Sequence, residues 1–130
     1  MYEQTGGTQN FGVIRSKGDQ ALFGKTTRQM KATWNVPAQR PLADFAPTIV
    51  LKAKDFAAEI TIHNARKHEL TTEDEFSREH VSNNSEVRKA LRARGIRPEE
   101  LPPAEDVRKV ERRLASEKKR AIREPEGLEK

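Results

Sequence analysis

The feature that most constrains this chain is the run that follows Pro47. Ile49, Val50, Ala53, Phe56, Ala57 and Ile60 recur at three- to four-residue spacing, with Lys52, Asp55 and Glu59 between them. That period places apolar side chains on one face of a helix and charge on the other. Proline is favoured at a first helical position, where its missing N–H would have no partner anyway. The spacing therefore predicts a core-forming helix from Pro47 to Asn64 or Lys67. Asp55 and Glu59 form a like-charge i,i+4 pair, which Lys52 partly relieves. The β-branched Thr48, Ile49, Val50, Thr61 and Ile62 favour a strand, but the period outweighs them over this length.

Local signals around this element predict further helices. Thr26 and Thr27 offer a cap for a helix over Arg28–Trp34, with Met30 and Trp34 four apart on one face. Pro37 and Pro41 mark a turn, and Leu42–Phe45 reads as one inward-packed helical turn. Thr72-Glu73-Asp74-Glu75 has the form of a capping box opening a short helix to His80. Asn83-Asn84-Ser85 interrupts that helix and caps the next, which holds Val87, Ala90, Leu91 and Arg94. Gly95 ends it in a left-handed turn, with Ile96 placed against Leu91. Pro98, Pro102 and Pro103 break the chain again. A last helix starts near Pro103 or Ala104, with Glu105 and Asp106 in its first turn at the positive dipole end. Val107, Val110, Leu114 and Ala121 form its narrow apolar stripe. The stripe spans barely two heptads, so docking by one edge on the domain is favoured over a homodimeric coiled coil through the C-terminal helix. Phe11–Arg15 is either a short strand or the start of a helix. The fold class is thus mainly all-α: a small irregular domain of about five helices over residues 11–123, with flexible tails at 1–10 and 124–130.

A chain of 130 residues supports one such domain. Charged residues make up 35% and the apolar set 34%, so the core is modest. The absence of cysteine excludes a disulfide framework, a thiolate metal site and a cysteine nucleophile. No run approaches a membrane-spanning length and the first ten residues are not a signal peptide, so no membrane partner and a cytoplasmic location are expected. The net charge of +5 is unevenly placed. Arg88–Arg123 carries thirteen Lys/Arg against six Asp/Glu, while Met1–Ala65 carries eight against five. A basic C-terminal third is an electrostatic footprint for nucleic acid or an acidic protein, or simply a solvated helix face.

No catalytic constellation emerges. His63 and His68 are five apart and do not share a helix face, so HNARKH is not a zinc motif, and no metal or cofactor is expected. Asp44 and Asp55 are a carboxylate pair only if the fold happens to join them. Gly24-Lys25-Thr26 resembles the end of a P-loop, but Asp19 stands where the motif needs its first glycine, which excludes nucleotide hydrolysis. The binding candidates are basic. Arg108, Lys109, Arg112 and Arg113 lie off the apolar stripe and recur at four, so they share one face for sequence-independent phosphate contact. Arg15, Lys17 and Lys25, with Arg28, form a second cluster interleaved with Phe11 and Phe23. That mixture suits charge plus stacking on single-stranded nucleic acid, although phenylalanines so placed are more often core.

Several stretches together resemble one known family. Ile14-Arg15-Ser16-Lys17-Gly18-Asp19-Gln20-Ala21-Leu22-Phe23-Gly24 is similar to the IRSxGDxALFGG run of the DNA-damage-inducible protein D family. Thr27–Lys31, Arg40–Thr48, Ala53–Ala57 with Glu59–Thr61, Glu79–Arg88, Arg94–Pro102 and Glu105–Arg113 resemble its later motifs, in order, over about residues 11–120. Ala46 stands where that family commonly has leucine. Family members resemble a longer chain with a BRO-type domain ahead of this region, so this sequence corresponds to the C-terminal portion. The resemblance implies a non-enzymatic protein of the SOS response, without assigned catalytic residues, that modulates RecA-type recombinase filaments by binding the filament and/or DNA. The alternative is a phage- or plasmid-derived regulator of a host defence or repressor protein that does not contact DNA.

Overall fold

The computed structural model describes residues 8–123. Five α-helices follow in order: α1 (Thr8–Phe23), α2 (Thr27–Trp34), α3 (Thr48–Lys67), α4 (Glu73–Ala93) and α5 (Val107–Arg123). Single 3-10 turns at Leu42–Phe45 and Pro98–Glu100 join them. There is no strand among the described residues. Phe11–Arg15 lies inside α1, which starts at Thr8, within the segment expected to be a tail. Helix wins there because Ile14, Gly18 and Leu22, spaced four apart, are buried along one α-helical face. The expected tails at 1–7 and 124–130 lie outside the described residues.

Helix α4 is the centre of the fold, with α1 and α3 packed against it. Leu22, Phe23, Met30, Trp34, Val50 and Val87 form the main apolar cluster, and Ile14, Ala65 and Phe76 a smaller one. Phe23 and Trp34 meet edge to face with ring centroids 5.6 Å apart. Full burial of a side chain such as Phe23 contributes roughly 1.5–3 kcal/mol. Phe23 is therefore core and offers no face for stacking on a base.

The helix ends follow local chemistry. Thr26 and Gln29 form a capping box on α2, and Thr72 and Glu75 another on α4. At the other end of α4, Ile96 N–H donates to Leu91 O at 2.9 Å across Gly95, whose φ of +80° suits only glycine well.

Four details depart from the sequence reading. Pro47 is the N-cap of α3 rather than its first residue. Helix α3 buries its smaller residues, Val50, Ala53, Ala57, Thr61 and Ala65, and leaves Ile49 and Phe56 exposed. Helix α4 runs unbroken through Asn83-Asn84-Ser85. Asparagine breaks helices when its side chain competes for the backbone. Here Asn84 Nδ2 donates to His80 O at 2.9 Å, and Asn83 Nδ2 donates to Glu79 and Thr61. Both amides are thus occupied within α4 and across to α3. Finally, α5 starts at Val107, so Glu105 and Asp106 precede it. Asp106 accepts from Arg108 N–H at 3.0 Å and does the capping.

Candidate functional site

Three arrangements bear on function: a polar seam between the packed helices, a clamp at the foot of α5, and the faces of α5 itself. The seam begins at Gly18. A Cβ there would overlap the His80 ring, with Nε2 at 2.6 Å and Asn84 Nδ2 at 2.9 Å. Only glycine lets α1 approach α4 this closely. One residue on, Asp19 pairs with Lys54 of α3 at 3.2 Å. His80 Nδ1 lies 2.8 Å from Thr61 Oγ1, which donates its own proton to Ala57 O and accepts from Asn83. The hydroxyl proton is already used, so His80 Nδ1 is the donor to Thr61. Its Nε2 then carries the lone pair that faces the Asn84 amide. With one ring nitrogen donating and the other accepting, His80 is neutral. Burial also holds the imidazole below its ordinary value; Lys54 and Arg15 act in the same sense and Asp19 opposes them. Beside the seam is an open cavity of about 440 Å³ whose lining includes Phe11, Arg15, Asp19, Lys54, Asp55 and His80.

The segment leading to α5 is pinned to the domain at four points. Arg88 donates twice to Glu99, at 2.9 and 2.8 Å, and once to Leu22 O. Trp34 Nε1 donates to Leu101 O, and Ala104 N–H donates to Phe45 O. Arg40 then grips both oxygens of Asp106, at 2.9 and 2.6 Å, and also holds Asp44 at 2.8 Å. Its guanidinium sits 5.1 Å from the centre of the Phe45 ring. A two-pronged guanidinium–carboxylate contact fixes direction as well as distance. It holds the Asp106 carboxyl far below the usual carboxylate range. Asp44 is engaged here with Arg40.

Beyond this clamp α5 leaves the domain. Every residue from Glu111 to Arg120 is exposed. Arg108, Lys109, Arg112 and Arg113 fall on one side of the helix, as their spacing predicts. Lys119 and Arg120 extend that side, since each lies seven residues, or two turns, beyond Arg112 or Arg113. The sequence reading passed over these two, although the two-turn repeat was there to see. Arg113 bonds to Glu105 at 3.0 Å, an exposed pair of little energetic weight. The other basic cluster does not form one patch. Arg15 borders the cavity, Lys17 points to another side of α1, and Lys25 sits half-buried in the turn before α2.

Among the described residues no three His, Cys, Asp or Glu side chains are grouped to hold a metal ion. None of the described helices is long and apolar enough to cross a membrane.

These features define a small helical domain with an internal polar seam and a projecting basic helix. Residues 3–110 match the family model described as the DinD C-terminal domain, and the chain belongs to that family. The match takes in the whole seam, the clamp, Arg108 and Lys109; Arg112, Arg113, Lys119 and Arg120 lie beyond it. Comparison with curated proteins and with solved structures gives no match.

Proposed function

We propose that this chain acts in the DNA-damage response as a non-enzymatic binding protein that modulates RecA-type recombinase filaments by engaging the filament and/or DNA. Family membership sets the biological context. The observation that carries the reading is the basic face of α5, where Arg108, Lys109, Arg112 and Arg113 stand in solvent on a helix anchored at its foot. Such a face neutralises phosphates or meets an acidic protein surface, and needs no base-specific contact. Arg15, Lys17 and Lys25 are secondary contributors, because they point in different directions.

The test is strand exchange promoted by a RecA-type recombinase, with and without the protein. An effect on the exchange rate is expected, and none at saturating protein would refute the reading for this chain. Reversing Arg108, Lys109, Arg112 and Arg113 to glutamate should abolish the effect and leave helix content unchanged. A mobility shift of single-stranded DNA that weakens steeply with added salt identifies DNA as the direct contact. Binding to the filament without such a shift assigns the contact to protein. Loss of both favours the alternative, a phage- or plasmid-derived regulator of a host protein.

A further inference from the structure

The domain leaves two apolar surfaces uncovered, on different elements. One is a groove of about 480 Å³ between α3 and α4, lined by Ile49, Ala53, Phe56, Ile60, Val87 and Leu91. Phe56 is 62% exposed in it. A single exposed apolar residue needs no explanation, but a contiguous trough between two helices is where a third helix packs. The other surface is the stripe of α5, where Leu114 is 56% and Ile122 69% exposed.

The two surfaces match in length and in charge. Ile49 to Ile60 spans about 16 Å of helix, and Val110 to Ile122 about 18 Å, at the usual rise per residue. The charged residues lining the groove are Lys52, Arg94 and Glu86. Helices α3 and α4 run antiparallel, as the contacts of Thr61 with His80 and of Asn64 with Glu79 require. Lys52 and Arg94 therefore mark one end of the groove and Glu86 lies toward the other. On α5, Glu111 and Lys118 both lie within the stripe, two turns apart. Their separation of about 10 Å is close to the roughly 12 Å from Arg94 to Glu86 along α4. With α5 parallel to α3, Glu111 meets Lys52 and Arg94 while Lys118 meets Glu86. The opposite direction sets Lys118 against two cations.

The chain's own α5 does not occupy this groove; it is fixed at Asp106 and Ala104, and its stripe stays in solvent. We infer that the occupant is α5 of a second copy of the chain, exchanged reciprocally so that each stripe fills the other chain's groove. Reciprocal exchange closes with two-fold symmetry, whereas one-way docking would build open chains. With the stripe buried, the basic face of each α5 points outward, so the dimer displays two such faces. The dimer does not depend on the function proposed above and is tested without any recombinase or DNA.

Sedimentation of the full chain over a range of concentrations should show a monomer–dimer equilibrium. Phe56→Glu should weaken the dimer by about tenfold or more, the loss typical of a central apolar anchor. Helix content should not change, because Phe56 is exposed in the single chain. Glu111→Lys should weaken it too, and adding Arg94→Glu to the same chain should restore it. The chain has no cysteine, so a mixture of chains carrying Phe56→Cys and Leu114→Cys should form a disulfide-linked pair that neither forms alone. A chain that stays monomeric throughout overturns the inference, as does a dimer indifferent to Phe56→Glu and to the Glu111/Arg94 exchange. Rapid cross-linking of the Leu114→Cys chain to itself points instead to an α5–α5 pair. A disulfide within one chain carrying both substitutions shows that the groove takes its own α5. Either result also overturns the proposal.

Discussion

Helices α3 and α5 carry the same kind of sequence pattern and have opposite fates. Both show apolar residues at three- to four-residue spacing with charge between them. Helix α3 is locked against α4 through Val50, Ala53, Ala57, Thr61 and Ala65, and a polar seam ties the two together. Helix α5 touches the domain at its foot and then extends into solvent. The difference lies in side-chain size and cross-contacts rather than in periodicity. Small residues on α3, and Gly18 opposite α4, permit close approach, so a polar network can be completed between helices. Helix α5 has long charged side chains on most of its circumference and is held through the pinned segment before it, last by the bidentate contact of Arg40 with Asp106. The packed helices supply a rigid base, and α5 supplies the charge.

Matched truncations in the two regions give the sharpest contrast. Phe23→Ala removes a fully buried ring from the main cluster, and chemical denaturation should show a loss of about 3–5 kcal/mol. A loss under 1 kcal/mol would mean that Phe23 is not part of the core. Gly18→Ala leaves chemistry almost untouched but forces a methyl group into His80 and Asn84. Overpacking of this kind should cost about 1–3 kcal/mol. A neutral or stabilising outcome would show that α1 and α4 can separate freely.

The seam also predicts a pH dependence that α5 does not share. His80 has a folded value below its ordinary 6.5, chiefly through burial. The unfolded chain therefore takes up a proton before the folded one does, and stability falls as pH drops below about 6.5. Above that value the contribution is fully present. The lowered carboxyls Glu75, Glu99, Glu105 and Asp106 act only at more acidic pH. Urea midpoints at pH 7.5 and 5.5 should thus differ for the native chain and converge for His80→Gln. An unchanged difference in the variant would place the titrating group elsewhere. Smallest of all, Leu114→Ala on α5 should shift the stability of the dilute single chain by no more than about 0.5 kcal/mol, as for other exposed positions. A loss comparable to that of Phe23→Ala would show that α5 is packed after all.

The capping threonines Thr26 and Thr72, the stop at Gly95 and the basic side of α5 were all legible in the sequence. Each is made by groups within a few residues of one another, so local spacing decides it. The family motifs were legible too, but the contacts they make were not. Gly18, Asp19, Lys54, Thr61, His80 and Asn84 are scattered along the chain and meet only when α1, α3 and α4 pack. Asn83-Asn84 reads as a break locally and becomes helix because distant partners occupy its amides. Likewise, periodicity alone could not tell that α3 would turn Thr61 inward and Phe56 outward. That choice depends on which neighbours come close enough to exclude water. Sequence by itself determined the capped helix ends and where charge collects. Tertiary structure alone decided which faces are covered, which polar groups are joined and which helix is left free, because those outcomes rest on contacts between residues far apart in the chain.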